Sequence, residues 1–109
     1  MARPATKAYN YLRRMGFKVD APSIADKTIR DYMGLFNILG VHPDKGWTLA
    51  VHACDEKQLP DAIKKILGSK WTPVLLSGRW YVEIHGWGLG ILDPHIVRVK
   101  LENGRPTIA

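Results

Sequence analysis

Apolar and polar positions along this chain repeat with two different periods, and the switches between them mark its elements. From Ala5 to Met15 the apolar and aromatic positions Ala5, Tyr9, Leu12 and Met15 recur at helical spacing behind Pro4, with Lys7, Arg13 and Arg14 mostly on other faces, and Gly16 ends the segment. Phe17 to Asp20 alternates like a short strand that Pro22 limits. Ser23 to Tyr32 shows no clear period and reads as a loop or short helical turn carrying Asp26, Lys27, Arg30 and Asp31. Leu35 to Val41 is apolar and of strand length, and Pro43-Asp44-Lys45-Gly46 turns the chain back into Trp47 to Cys54, which predicts a hairpin. Gln58 to Leu67 sets Leu59, Ile63, Ile66 and Leu67 against Asp61, Lys64 and Lys65, a second amphipathic helix with Pro60 in its first turn and Gly68 at its end. Trp71 to Leu76, Arg79 to Trp87 and Ile96 to Leu101 read as three further strands, the first two joined through Ser77-Gly78 and the last ending at Asn103-Gly104. No repeat, low-complexity segment or linker interrupts the series, so residues 1–109 read as a single α/β domain.

Composition narrows the classes of function. A chain of 109 residues buries about two thirds of the surface that its unfolded form exposes, enough for a core without a metal or disulfide. Sixteen Lys and Arg against ten Asp and Glu give a net charge of +6, which favours a polyanionic partner such as nucleic acid, although basic surfaces also serve solubility. One Cys excludes an internal disulfide and suits a reducing compartment. No run approaches the roughly 18 apolar residues of a membrane span, and Arg3 to Lys7 lack the apolar core of a signal peptide. A soluble, cytoplasmic protein without a membrane partner is expected, in the host cytoplasm if the source is viral.

Within the hairpin, alternation puts Leu35, Asn37, Leu39 and Val41 on one side of their strand and Thr48, Ala50, His52 and Cys54 on one side of the next. Asn37, a polar residue inside an apolar strand, can thereby approach His52 and Cys54 near one end of the hairpin. Residue by residue the plainer account is that Asn37 bonds neighbouring backbone, Cys54 fills core and His52 is a satisfied histidine.

Order and spacing add a resemblance. The run Leu35-Phe36-Asn37-Ile38-Leu39 followed by Trp47 to Cys54, in a helix–strands–helix–strands chain, resembles the PD-(D/E)xK nuclease superfamily, especially its small phage and archaeal members of Holliday-junction-resolvase-like or VRR-NUC-like type. Arg79-Trp80-Tyr81-Val82-Glu83-Ile84-His85-Gly86-Trp87 is similar to the aromatic late strand of phage members, which ends in Gly-Trp. The resemblance covers nearly the whole chain. It implies a restriction-endonuclease-like core, a mixed sheet flanked by helices in αβββαβ order with extra C-terminal strands. It also implies a DNA-binding function, and in an active member hydrolysis of phosphodiesters by Mg²⁺- or Mn²⁺-activated water, as in an endonuclease or junction resolvase. Resolvase-like members work in pairs on two strands, so a homodimer is compatible with it.

The catalytic positions depart from that pattern. Asn37 stands at the Asp position, His52 at the Glu or Gln position and Cys54 at the Lys position. Mg²⁺ demands oxygen ligands and usually a carboxylate, whereas imidazole and thiolate suit softer metals. A working site would need carboxylates from shifted positions, Asp31 and Asp55 beside Asn37 and His52, or Asp20 and Asp26 from the preceding loop. A zinc site from His52 and Cys54 with His42 or His85 lacks the usual paired spacing, and a Cys54 nucleophile lacks a visible orienting group.

Candidate phosphate-binding cations are Arg3, Lys7, Arg13 and Arg14 at the first helix, Lys27 and Arg30 before the hairpin, and Lys64, Lys65 and Lys70 around the second helix. Among Trp47, Trp71, Trp80 and Trp87, most suit core or sheet packing, and one left exposed can stack on an unpaired base. Glu83 shares a strand face with Tyr81, His85 and Trp87 and reads as a paired strand residue before an acidic ligand. Two alternatives to the nuclease stand beside it. One is a nuclease-fold DNA-binding subunit without activity. The other is a small α/β interaction module docking RNA or an acidic protein, which would show an exposed aromatic sheet face in place of a polar pocket beside Asn37.

Overall fold

A computed structural model describes residues 3–21, 31–89 and 93–109. The expected loop bearing Asp26, Lys27 and Arg30 falls outside them, as does Gly90. The described elements are α1 (Pro4–Arg14), β1 (Lys18–Asp20), β2 (Ile38–His42), β3 (Trp47–Asp55), a 3-10 turn (Glu56–Gln58), α2 (Leu59–Leu67), α3 (Trp71–Ser77), β4 (Tyr81–Trp87), β5 (His95–Glu102) and β6 (Arg105–Ile108). They form an α/β domain around one mixed, six-stranded sheet in sequential order β1 to β6. Only β3 and β4 pair in parallel, with His52 beside Ile84, because α2 and α3 carry the chain back across one face. Every other neighbouring pair is antiparallel.

The alternation along β3 and β4 divides the core in two. Ala50, Cys54, Val82 and Ile84 point towards α2 and α3 and pack with Leu59, Ala62, Ile66 and Leu75. Leu49, Val51, Ala53 and Trp87 point the other way and pack under Ala8 and Leu12 of α1, with Ile38. A sheet buried on both faces explains why β3 reads as nearly continuous apolar sequence. Two glycines permit the closest approaches. A Cβ on Gly86 would lie 2.5 Å from Leu59 Cδ1, where α2 crosses the sheet. Gly16, at φ +97°, would put one 2.9 Å from His42 Nε2 as the chain leaves α1.

The expected strand at Trp71 to Leu76 is a helix instead, α3. Its Trp, Thr and Val favour strand locally, yet Thr72 and Leu75 are buried at helical spacing. Ser69 Oγ accepts the Trp71 backbone N–H at 3.1 Å, and the Thr72 hydroxyl donates to the Ile66 carbonyl at 2.6 Å. Pro73, with no N–H to give a ladder, sits in the first turn, where none is required. Beyond Asn103-Gly104, where the last strand was expected to stop, positive φ at both residues (53° and 76°) makes a tight turn into the edge strand β6. Among the described residues no helix is long and apolar enough to cross a membrane.

Candidate functional site

The end of the hairpin is built by the segment leading into β2. Apolar through Leu35 and Phe36, it was expected to be strand from Leu35, but the strand begins at Ile38. Residues 32–36 instead form a turn with Met33 and Gly34 at positive φ, closed by the Tyr32 N–H on the Phe36 carbonyl at 2.7 Å. Leu35 and Phe36 are buried in the α2 side of the core. Because the chain peels away here, β3 is left with unfilled ladder sites, and Asn37 fills them. Its Nδ2–H donates to the Ala53 carbonyl at 3.0 Å and its Oδ1 accepts the Ala53 N–H at 2.9 Å, so the side chain stands in for a missing strand residue. Its own backbone N–H reaches the Val51 carbonyl at 3.1 Å. His52 adds a second tie, Nδ1–H donating to the Leu35 carbonyl at 2.5 Å.

At the end of β3 the side chains of Asn37 and His52 thus bond the backbone, while Cys54 packs into the core on the α2 side. Cys54 is buried, and that burial, followed by the charge of Asp55, raises its thiol pKa, the opposite of what activates a nucleophile. Asp31 and Asp55 are exposed at the turn and at the end of β3. Asp20 accepts a hydrogen bond from the Tyr32 hydroxyl. Burial, and then this bond, push the Tyr32 pKa up to about 12. Among the described residues no group of three or more His, Cys, Asp or Glu is placed to hold a metal.

The expected cations divide between the two faces of the sheet. Arg3, Lys7, Arg13 and Arg14 lie at α1, where Lys7 Nζ donates to the Gly88 carbonyl at 3.5 Å. Lys64, Lys65 and Lys70 lie on the opposite side, at α2 and the start of α3, with Lys70 Nζ 5.8 Å from the Trp71 ring centre. One straight duplex cannot rest on both sets.

A second site, beneath the C-terminal half of α1, was not expected as a site. Tyr11 of α1 and Met15 just beyond it, with Trp47, Tyr81, Glu83 and Arg98 of the sheet, line most of a half-open groove of about 230 Å³. An aromatic row leads to it across the strands: Phe17 packs edge-on to His42 (5.1 Å), His42 on Trp47 (5.8 Å) and Trp47 on Tyr81 (5.8 Å). At its floor Glu83 accepts from His85 Nε2 at 2.8 Å and from Arg98 Nε at 3.2 Å. His85 is wholly buried, its ring edge-on to Tyr11, and its Nδ1 has no hydrogen-bond partner among the described residues. The signal was present in the sequence, since the spacing put Tyr81, Glu83 and His85 on one face. That Trp47 and Arg98 would join them depended on the register of β3 and β5.

Comparisons with protein-family models, with curated proteins and with solved structures gave no match.

Proposed function

We propose that this chain is a nucleic-acid-binding domain, DNA being the first choice, on a PD-(D/E)xK-like core whose catalytic positions have been turned to structural use. The element order supports the likeness: a helix, three antiparallel strands, helices, then a strand parallel to the third, with β5 and β6 beyond. The net charge of +6 supports a polyanionic ligand. The observation that carries the loss of cleavage is the paired bond of the Asn37 amide to Ala53. An amide is suited to that pairing because it both donates and accepts, whereas the carboxylate a Mg²⁺ site needs only accepts. On this reading Mg²⁺ and Mn²⁺ have no role at the hairpin.

The test is fluorescence anisotropy with labelled duplex, four-way-junction and single-stranded DNA at low salt, with Mn²⁺ or EDTA, beside a nicking assay on supercoiled plasmid. Binding that weakens steeply with salt, ignores EDTA and is accompanied by no nicking is expected. Nicking that requires Mn²⁺ and disappears in His52→Ala would overturn the loss of cleavage. Absence of binding to any of the three DNAs would overturn the binding function and leave the interaction module, which the exposed Trp47 and Tyr81 rings favour.

A further inference from the structure

We infer that the groove beneath α1 receives a single unpaired nucleobase, with the phosphates on either side of it held by Arg14, Lys45 and Arg98. This rests on the nucleic-acid reading above and names the part of the ligand that the domain recognises.

Size comes first. About 230 Å³ is below the roughly 300–1,000 Å³ of pockets for drug-sized ligands, and suits one planar ring better than a lipid chain or a dinucleotide. Its walls are the second point. Tyr81 is 52 % exposed, Trp47 38 % and Met15 55 %, an apolar surface that water covers at a cost and that a base would cover well. Trp47 and Tyr81 meet edge to face, with planes 68° apart, so a flat ring can lie on one while its edge meets the other.

Charge fixes the rest. Lys45 Nζ stands 4.8 Å from the Trp47 ring centre and the Arg14 guanidinium 5.9 Å from that of Tyr11, both exposed at the rim, while the Arg98 side chain is 65 % exposed. Cations on several sides of an aromatic slot complement a base flanked by phosphates. The carboxylate of Glu83 does not spoil this, because Arg98 binds it from the groove side and His85 from within. Stacking of this kind accepts any base and requires that it be out of a duplex.

Binding of fluorescent dT10 and of a 10-base-pair duplex is the measurement, with thermal melting to check each variant's fold. Tyr81→Ala and Trp47→Ala each weaken dT10 binding by about 5- to 100-fold, Tyr81→Phe retains it, and Lys45→Ala lowers the salt dependence by roughly one counterion. Lys64→Ala and Lys70→Ala, across the sheet, leave dT10 affinity unchanged. Folded Tyr81→Ala and Trp47→Ala proteins that bind dT10 like the parent would overturn the groove assignment while the nucleic-acid reading stands. A parent that binds neither DNA at low salt would overturn both.

Discussion

Asn37→Asp introduces the residue that the PD-(D/E)xK resemblance expects at this position, and the geometry predicts that it harms the protein. The amide makes two bonds to Ala53, and the substitution keeps only the one in which an oxygen accepts the Ala53 N–H. The other becomes a carboxylate oxygen facing the Ala53 carbonyl where a donor stood 3.0 Å away, leaving that carbonyl unsatisfied. An unsatisfied group at a half-buried site costs about 1–3 kcal/mol, partly offset because the surviving bond is now charge-assisted. At about 4 °C per kcal/mol for a domain of this size, melting at pH 7.5 should fall by roughly 4–12 °C. The pH dependence gives the sharper reading. Protonated, the new carboxyl regains a donor for Ala53, so its folded pKa is raised above the unfolded value of about 3.9. The penalty is therefore full above the folded pKa, fades as pH falls from the folded pKa to the unfolded one, and is gone below it. Urea unfolding of parent, Asn37→Asp and Asn37→Ala at pH 7.5 and pH 3.5 measures this. Asn37→Ala, which loses both bonds, should be impaired at both pH values. The reasoning is refuted if Asn37→Asp matches the parent at pH 7.5. It is refuted equally if that variant takes up Mn²⁺ tightly and nicks DNA, since Asn37 would then be holding a place in a metal site.

Gly16→Ala places a methyl 2.9 Å from His42 Nε2 at a φ of +97°, so it should cost about 1–3 kcal/mol, read by thermal melting, whereas an Ala at Gly104, where φ is also positive but the space is open, should cost less. Tyr32 should ionise near pH 12 in an absorbance titration, a step that Tyr32→Phe removes. Because its folded pKa is raised, the folded state holds the proton longer, so stability falls as pH rises from about 10 towards 12, and Tyr32→Phe should remove that part of the slope.

The strands and helices legible in the sequence were those whose period and punctuation agreed. In α1, α2, β3 and β4 the observed ends lie within one or two residues of the expected ones, although α1 buries Ala8 and Leu12 and leaves Met15, expected on its apolar face, exposed. The strand expected over Trp71 to Leu76 failed because local preference there is overridden by tertiary contacts: Leu75 packs in the core with Val82 and Ile84, buried Thr72 bonds the Ile66 carbonyl of α2, and Ser69 fixes the helix start. Leu35 and Phe36 were expected within β2 because burial in a turn produces the same apolar run as burial in a strand. The nearness of Asn37 to His52 was legible. What Asn37 does there was not, since its partner is the backbone of Ala53, which no side-chain pattern marks.

The two sites lie on opposite faces of the sheet, and their chemistry separates what the chain can do at each. At the hairpin end, Asn37 and His52 each fasten residues 35–37 to the scaffold, so a change that frees either for a ligand also loosens β2. Beneath α1 His85, Trp87 and the Glu83–Arg98 pair are seated in β4 and β5, while the rings of Trp47 and Tyr81, which pack edge-on to each other across the strands, are 38 % and 52 % exposed. Truncating half-exposed rings costs the core less than truncating buried ones, and a rigid sheet that presents them is what a recognition surface requires. Activity at the hairpin would have to be gained against stability, and binding in the groove would not. That asymmetry favours a domain that grips nucleic acid with the α1 face over one that cuts it at the end of β3.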